Sequence, residues 1–200
     1  MVNFNFGFGT VANGAAPVLP DPVPAHPLLD GKEEIGRGQY SVVLDKGDGE
    51  RVYKVVSSPA DYWLHTATDR PQGKHFPIVY ADHGDIGQAQ SGYRFCLLEM
   101  ERLYPLTPES QAAIVAAQLS KAYWEGCRRW SQLGARMGRM AMYHLTQGDQ
   151  PFGDVPMQSA LRALSEFIEE YQLLPDILKA DNLMVRKDGT LVFSDPVFVS

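Results

Sequence analysis

Cysteine is scarce in this 200-residue chain: Cys96 and Cys127 are the only two, and they form no C-x-x-C pair. A disulfide-built scaffold is thereby excluded, and reduced thiols in a reducing compartment are expected, with Cys96 inside a strand. No run reaches the roughly 18 apolar residues of a membrane span. The N-terminus shows no basic region ahead of an apolar run. The sequence therefore reads as cytoplasmic, with no membrane partner. Positive charge is in deficit, 18 Lys and Arg against 24 Asp and Glu for a net of −6. That argues against a nucleic-acid partner, which would call for a basic stripe. The basic residues that do gather, Arg128, Arg129, Arg136 and Arg139, read as a solvated helix face. No His/Cys/Asp cluster has metalloprotein spacing, and neither a Walker glycine-lysine loop nor a G-x-S-x-G elbow occurs.

What is present is a soluble globular composition, 44% hydrophobic and 21% charged, long enough for one core or two small lobes. Residues 1–28 are rich in Gly, Pro, Asn and Ala and are expected to form a flexible or extended arm. Over 32–56, two turn signals at Gly36 to Gly38 and Lys46-Gly47-Asp48-Gly49 separate β-branched runs, which predicts a three-strand meander. A short helix is expected over 59–69, with Ser58 as N-cap and Pro59 at its first position. Strands four and five are expected over 76–81 and 93–98, separated by a polar loop. The period then changes: helices are predicted over 108–130, 131–145 and 155–174. His144 and the methionines Met137, Met140 and Met142 read as part of a core stripe. Leu183-Met184-Val185, Asp188-Gly189 and Leu191-Val192-Phe193 then read as a β-hairpin.

Two spaced signals carry chemistry. The first is Ile35-Gly36-Arg37-Gly38-Gln39-Tyr40-Ser41-Val42-Val43, a glycine-bearing hairpin able to bring main-chain N–H groups close to phosphates. Lys54 follows on the next strand, flanked by apolar residues. The second is Lys179-Ala180-Asp181-Asn182 with Ser194-Asp195-Pro196. Thirteen positions separate Asn182 from Asp195, enough for two short strands and a turn, so both return to one end of the ribbon. Their oxygens could hold Mg²⁺ against nucleotide phosphates.

In this order of glycine loop, strand lysine, late Asn and later Asp, residues 32–199 resemble the protein kinase superfamily. The Gly-x-Gly-x-aromatic-Ser loop, the Asn-Leu-Met strand and Asp-Pro-Val-Phe in place of Asp-Phe-Gly look most like the early host-takeover serine/threonine kinases of podovirus-type bacteriophages. The resemblance implies an α+β, reduced kinase-like two-lobe fold. It would have a β-rich N-lobe over 29–104 and a truncated helical C-lobe over 105–200 ending in a catalytic hairpin. It also implies ATP bound by Gly36, Gly38, Ser41, Lys54, Glu101 and Leu103, Mg²⁺ held by Asn182 and Asp195, and catalysis by Asp176 and Lys179. The partner would be a host protein phosphorylated on Ser or Thr in the host cytoplasm. A catalytically dead pseudokinase that inhibits a partner by binding is the alternative, and a small-molecule kinase like the antibiotic phosphotransferases ranks third.

Three departures from the family pattern bear on activity. The catalytic Asp should sit five residues before the metal Asn, where this chain has Ile177, with Asp176 one step earlier; a bulged loop would let Asp176 serve. No Glu occurs between Glu50 and Glu99, so the acid that pairs with Lys54 would be Asp61 or Asp69. Only five residues follow Asp195, where a protein kinase continues through an activation segment and peptide-seating helices.

Overall fold

The computed structural model of the chain describes residues 22–88, 92, 94–147, 151–178 and 182–199. Lys179, Asp181 and residues 1–21 of the arm lie outside them. The described chain is α+β, with a five-stranded antiparallel sheet followed by three helices and two small two-stranded sheets.

The meander forms as expected: β1 (Glu34–Arg37), β2 (Ser41–Asp45) and β3 (Arg51–Val56) pair in sequence. Helix α1 (Pro59–Thr66) follows at once, with the Ser58 side chain accepting the Asp61 N–H and Pro59 in the first turn, where its missing N–H costs nothing. The sheet closes with β4 (Val79–Gln88) and β5 (Arg94–Glu101) in the order β1-β2-β3-β5-β4. The predicted polar loop after residue 81 is therefore strand. Its polarity reflects an edge position, and its pairing with β5 is broken by register shifts at Val79/Ala81, Asp82/Gly84 and Asp85/Gly87. In the last two, an Asp side chain accepts the N–H of a glycine two residues on, and both glycines hold positive φ.

Alternation gives the sheet two buried faces. On one, Val42, Leu44, Tyr53, Val55, Phe95 and Leu97 pack with Leu29, Leu28 and Val23. The described part of the arm, 22–28, is thus a cover over this face and not a free tail. On the other, Val52, Leu98 and Met100 pack with Tyr62 of α1, and Lys54 projects from the same side of β3 as Val52 because strand side chains repeat every second residue.

The larger core belongs to the helical part: α2 (Gln111–Arg129), α3 (Met137–Gln147) and α4 (Val155–Glu170) pack with Ala60 and Leu64 of α1 and with Ile177, Leu183, Phe193 and Val197. Between α2 and α3, Ser131–Arg136 is a wholly exposed 3₁₀ segment with Gly134 at φ 57, where continued helix was expected. The hairpin β7 (Leu183–Val185) and β8 (Leu191–Phe193) is as predicted. A second ribbon, not expected from the sequence, pairs β6 (Leu174–Pro175) with β9 (Val197–Phe198).

Two devices join the halves. Tyr104 and Val185 exchange both backbone hydrogen bonds, at 2.8 Å each. Arg186, just past β7, forks onto Glu101 at the end of β5 (Nε to Oε2 2.8 Å, Nη2 to Oε1 2.6 Å) and also donates to the carbonyls of Phe76 and Lys74.

Candidate functional site

Lys54 lies in mid-strand, opposite Leu98 of β5 and Val43 of β2. The residue is 8% exposed, and its ammonium sits 2.8 Å from Asp61 Oδ1 on the first turn of α1. Only seven positions separate Lys54 from Asp61, and the helix start set by the Ser58 cap brings the shorter acid close enough. Of the two candidates the sequence offered, Asp61 is the partner; Asp69 accepts a hydrogen bond from the Tyr171 hydroxyl instead.

The buried pair is held by charge. Burial works to push the Asp61 carboxyl up, but Lys54 and His65 together hold it down at about 2. Burial likewise favours a neutral Lys54, and the carboxylates of Asp61 and Asp195 more than offset it, so the lysine rises above its ordinary value. The negative charge of Asp195, far along the chain, thus also acts on this ammonium. His65, one helical turn after Asp61, places Nε2 3.0 Å from the same oxygen, and burial lowers its pKa so the imidazole is neutral at pH 7. Sequence reasoning passed over His65, although the i,i+4 spacing from Asp61 on a short helix carried the signal.

Asp176, Asn182 and Asp195 are brought together by backbone bonds. The Asp176 N–H donates to Pro196 O (2.7 Å), Ser194 N–H donates to Asn182 O (2.9 Å), and the Asn182 side-chain amide donates to the Asp176 carbonyl. These contacts tie the loop after β6 to both ends of the β7–β8 hairpin. Ile177 is fully buried in the helical core, so the loop is anchored by its apolar residue, and the carboxylate of Asp176 stands half-buried beside it. The charge of Asp176 also reaches the buried Tyr123 hydroxyl, whose pKa is raised mainly by burial.

Gly36 lies in β1 opposite Val43 and Gly38 opens the β1–β2 connection, where Gly38 N–H donates to Ser41 O (2.8 Å) and Tyr40 O receives both the N–H and the hydroxyl of Ser57. A Cβ at Gly36 would meet only Val43 at 3.9 Å, and at Gly38 only Ser41, no nearer than 3.5 Å. Neither glycine has positive φ. The fold itself has room for a side chain at both positions.

Glu101 and Leu103 have different fates. The Glu101 carboxylate is committed to Arg186 and to the Ile78 N–H (2.9 Å), so it serves the junction between the halves. Leu103 sits half-buried in the connection between Arg102, whose N–H donates to Glu50 O, and Tyr104. Lys179 lies outside the described residues.

A divalent cation is tested by the donors. Asp195 offers carboxylate oxygens, and Asn182, with its amide nitrogen committed to Asp176, offers Oδ1; these are the hard oxygen ligands that Mg²⁺ takes. Among the described residues no group of three or more His, Cys, Asp or Glu forms a metal cluster, so such a cation would share its shell with ligand oxygens. Also among them, no helix is long and apolar enough to cross a membrane. No protein-family model matches the chain, and no curated protein matches it.

Proposed function

We propose that this protein is an ATP- and Mg²⁺-dependent kinase that transfers phosphate to Ser or Thr hydroxyls of proteins. The observation that carries the reading is the buried Lys54 on β3, paired at 2.8 Å with Asp61 of the following helix and favoured in its charged form by Asp195 as well. In protein kinases a strand-three lysine is held by an acid of the next helix, and the metal is held by a late Asn and Asp. Here Asp61 stands in for the usual Glu, which removes one of the three departures seen in the sequence.

In this reading the glycine hairpin covers the phosphates with its backbone N–H groups, and Lys54 places its charge against them. Asn182 and Asp195 hold Mg²⁺, which when bound neutralises charge developing on the transferred group. Asp176 orients the acceptor hydroxyl and takes its proton. Its backbone is fixed from both sides, by Pro196 O and by the Asn182 amide, which holds the residue in place in the loop. The connection at Leu103 borders the base of the nucleotide. By the resemblance, acceptors are host proteins met in the cytoplasm during phage infection.

The test is incubation of purified protein with ATP labelled on its terminal phosphate, with and without Mg²⁺ and bacterial lysate. Label on Ser or Thr of protein, dependent on Mg²⁺ and absent with Asp195→Asn, is the expected result. ATP binding without transfer would replace the kinase by a nucleotide-binding inhibitor. Neither binding nor transfer would overturn both.

A further inference from the structure

Helices α2 and α3 are unusual neighbours. Gly138 at the start of α3 faces the Tyr123 hydroxyl in the second half of α2, and His144 near its end stacks on Trp130 just past α2, with centroids 5.2 Å apart. The two helices therefore run side by side in the same direction, and they touch closely: a Cβ on Gly126 would lie 2.8 Å from that of Ala141. A groove of about 280 Å³ opens along this seam. Its floor is Ala122, Gly126, Ala141 and Leu145, and Arg129 and His144 stand at its walls. That volume falls just below the ~300–1,000 Å³ of sites that enclose a small molecule, and suits one or two inserted side chains.

The surroundings state what chain would bring those side chains. Of the four arginines on this part of the protein, Arg139 is engaged with Gln172 and Glu169. Arg128, Arg129 and Arg136 are exposed and enter no ion pair among the described residues. Glu125 is the one acid at the groove. On a chain of net charge −6 this is a local surplus of the opposite sign. The Arg129 guanidinium lies 5.9 Å from the Trp130 ring, which in turn stacks on His144. The wall is thereby layered before any partner arrives, which lowers the ordering cost of docking.

We propose that the α2–α3 groove docks an acidic segment of a partner protein, which lays an aliphatic side chain into the groove over the Gly126–Ala141 seam and sets its carboxylates against Arg129 at the wall and the exposed Arg128 next to it in sequence. The surface is independent of phosphoryl transfer, and it is read without ATP or Mg²⁺, so the two readings fail separately. The test is selection of a displayed short-peptide library on the full chain, followed by anisotropy of the best peptide made synthetically with a fluorescein label. Enriched peptides should carry Asp or Glu around a Leu, Ile or Val. Affinity should fall as salt rises and drop at least about tenfold in Arg128→Glu/Arg129→Glu, a change of ~1.4 kcal/mol. Ala122→Phe, which fills the floor, should do the same. If that variant does not fold, the exposed charge reversals decide alone, since they leave the core untouched. Enrichment without acidic residues, no enrichment, or peptide binding that survives the charge reversal overturns the proposal.

Discussion

Lys54 Nζ and Asp61 Oδ1 lie 2.8 Å apart with both side chains withdrawn from water. A buried ion pair of this kind is costly to break on one side, because the remaining charge is left without compensation, and cheap to replace as a unit. Asp61→Asn and Lys54→Met are each expected to lower stability by about 3 kcal/mol, whereas Lys54→Met/Asp61→Leu should lose less than either alone. Urea denaturation of the three variants checks this. Additive losses would mean that the two groups do not act on each other.

The same pair sets a pH limb with a definite sign. Asp61 is depressed from 3.8 to about 2 in the folded chain, so the unfolded chain binds its proton first as pH falls. The stabilisation is complete above about pH 4 and is lost as pH drops towards 2, with a size of about 2 kcal/mol. Subtracting the pH–stability curve of Asp61→Asn from that of the wild type should isolate this limb. A flat difference across that window would show that the carboxylate is not held down by Lys54 and His65.

Most of this arrangement could be read from the amino acids, for physical reasons that differ by element. The β1–β3 meander and the helix at Pro59 follow from alternation, turn residues and a cap, all local signals. The edge stretch 82–88 did not, because its Asp-x-Gly pairs read as loop, and as bulges they suit an exposed edge equally well. The β6–β9 ribbon was beyond reach, since two-residue strands carry no period and their pairing spans more than twenty positions. Asp176 and Ile177 were ambiguous for the same reason. Only the tertiary core decides that Ile177 turns inward.

Glu101 and Arg186 give a prediction that separates structure from ligand binding. The carboxylate accepts two bonds from the guanidinium and one from Ile78 N–H. Glu101→Gln and Arg186→Met should each cost about 1–3 kcal/mol, as expected when a partly buried charged group loses its hydrogen-bonded partner. ATP affinity of the folded fraction should be unchanged. Thermal melting and calorimetric titration at a temperature where both variants are folded measure the two quantities. A loss of affinity without a loss of stability would return Glu101 to the nucleotide.

Asp176 and Ile177 are adjacent and should fail differently. Asp176→Asn keeps both backbone bonds of the loop, so on the proposed function ATP affinity should hold while turnover falls roughly 10²–10⁴-fold. Ile177→Ala opens a cavity in the helical core and should cost about 2–5 kcal/mol. Single-turnover transfer and melting curves distinguish the two. If Asp176→Asn transfers phosphate at the wild-type rate, the proton is taken by another group.

Gly36 and Gly38 offer the cleanest separation of a ligand's demands from the fold's. Neither holds a positive φ, and a Cβ at either meets nothing nearer than 3.5 Å. If the fold alone were served, alanine would do as well, and would hold the unfolded chain to fewer conformations, a gain of about 0.4–1 kcal/mol. Gly36→Ala and Gly38→Ala should therefore melt at or slightly above the wild-type temperature. On the proposed function both should bind ATP more weakly, because a methyl group would then stand where the backbone is proposed to approach the phosphates. Melting with and without MgATP reads both effects in one experiment: the variants should start level and gain less from the ligand. Variants that gain as much as the wild type would show that nothing approaches this hairpin, and the phosphate assignment of the loop would fall with it.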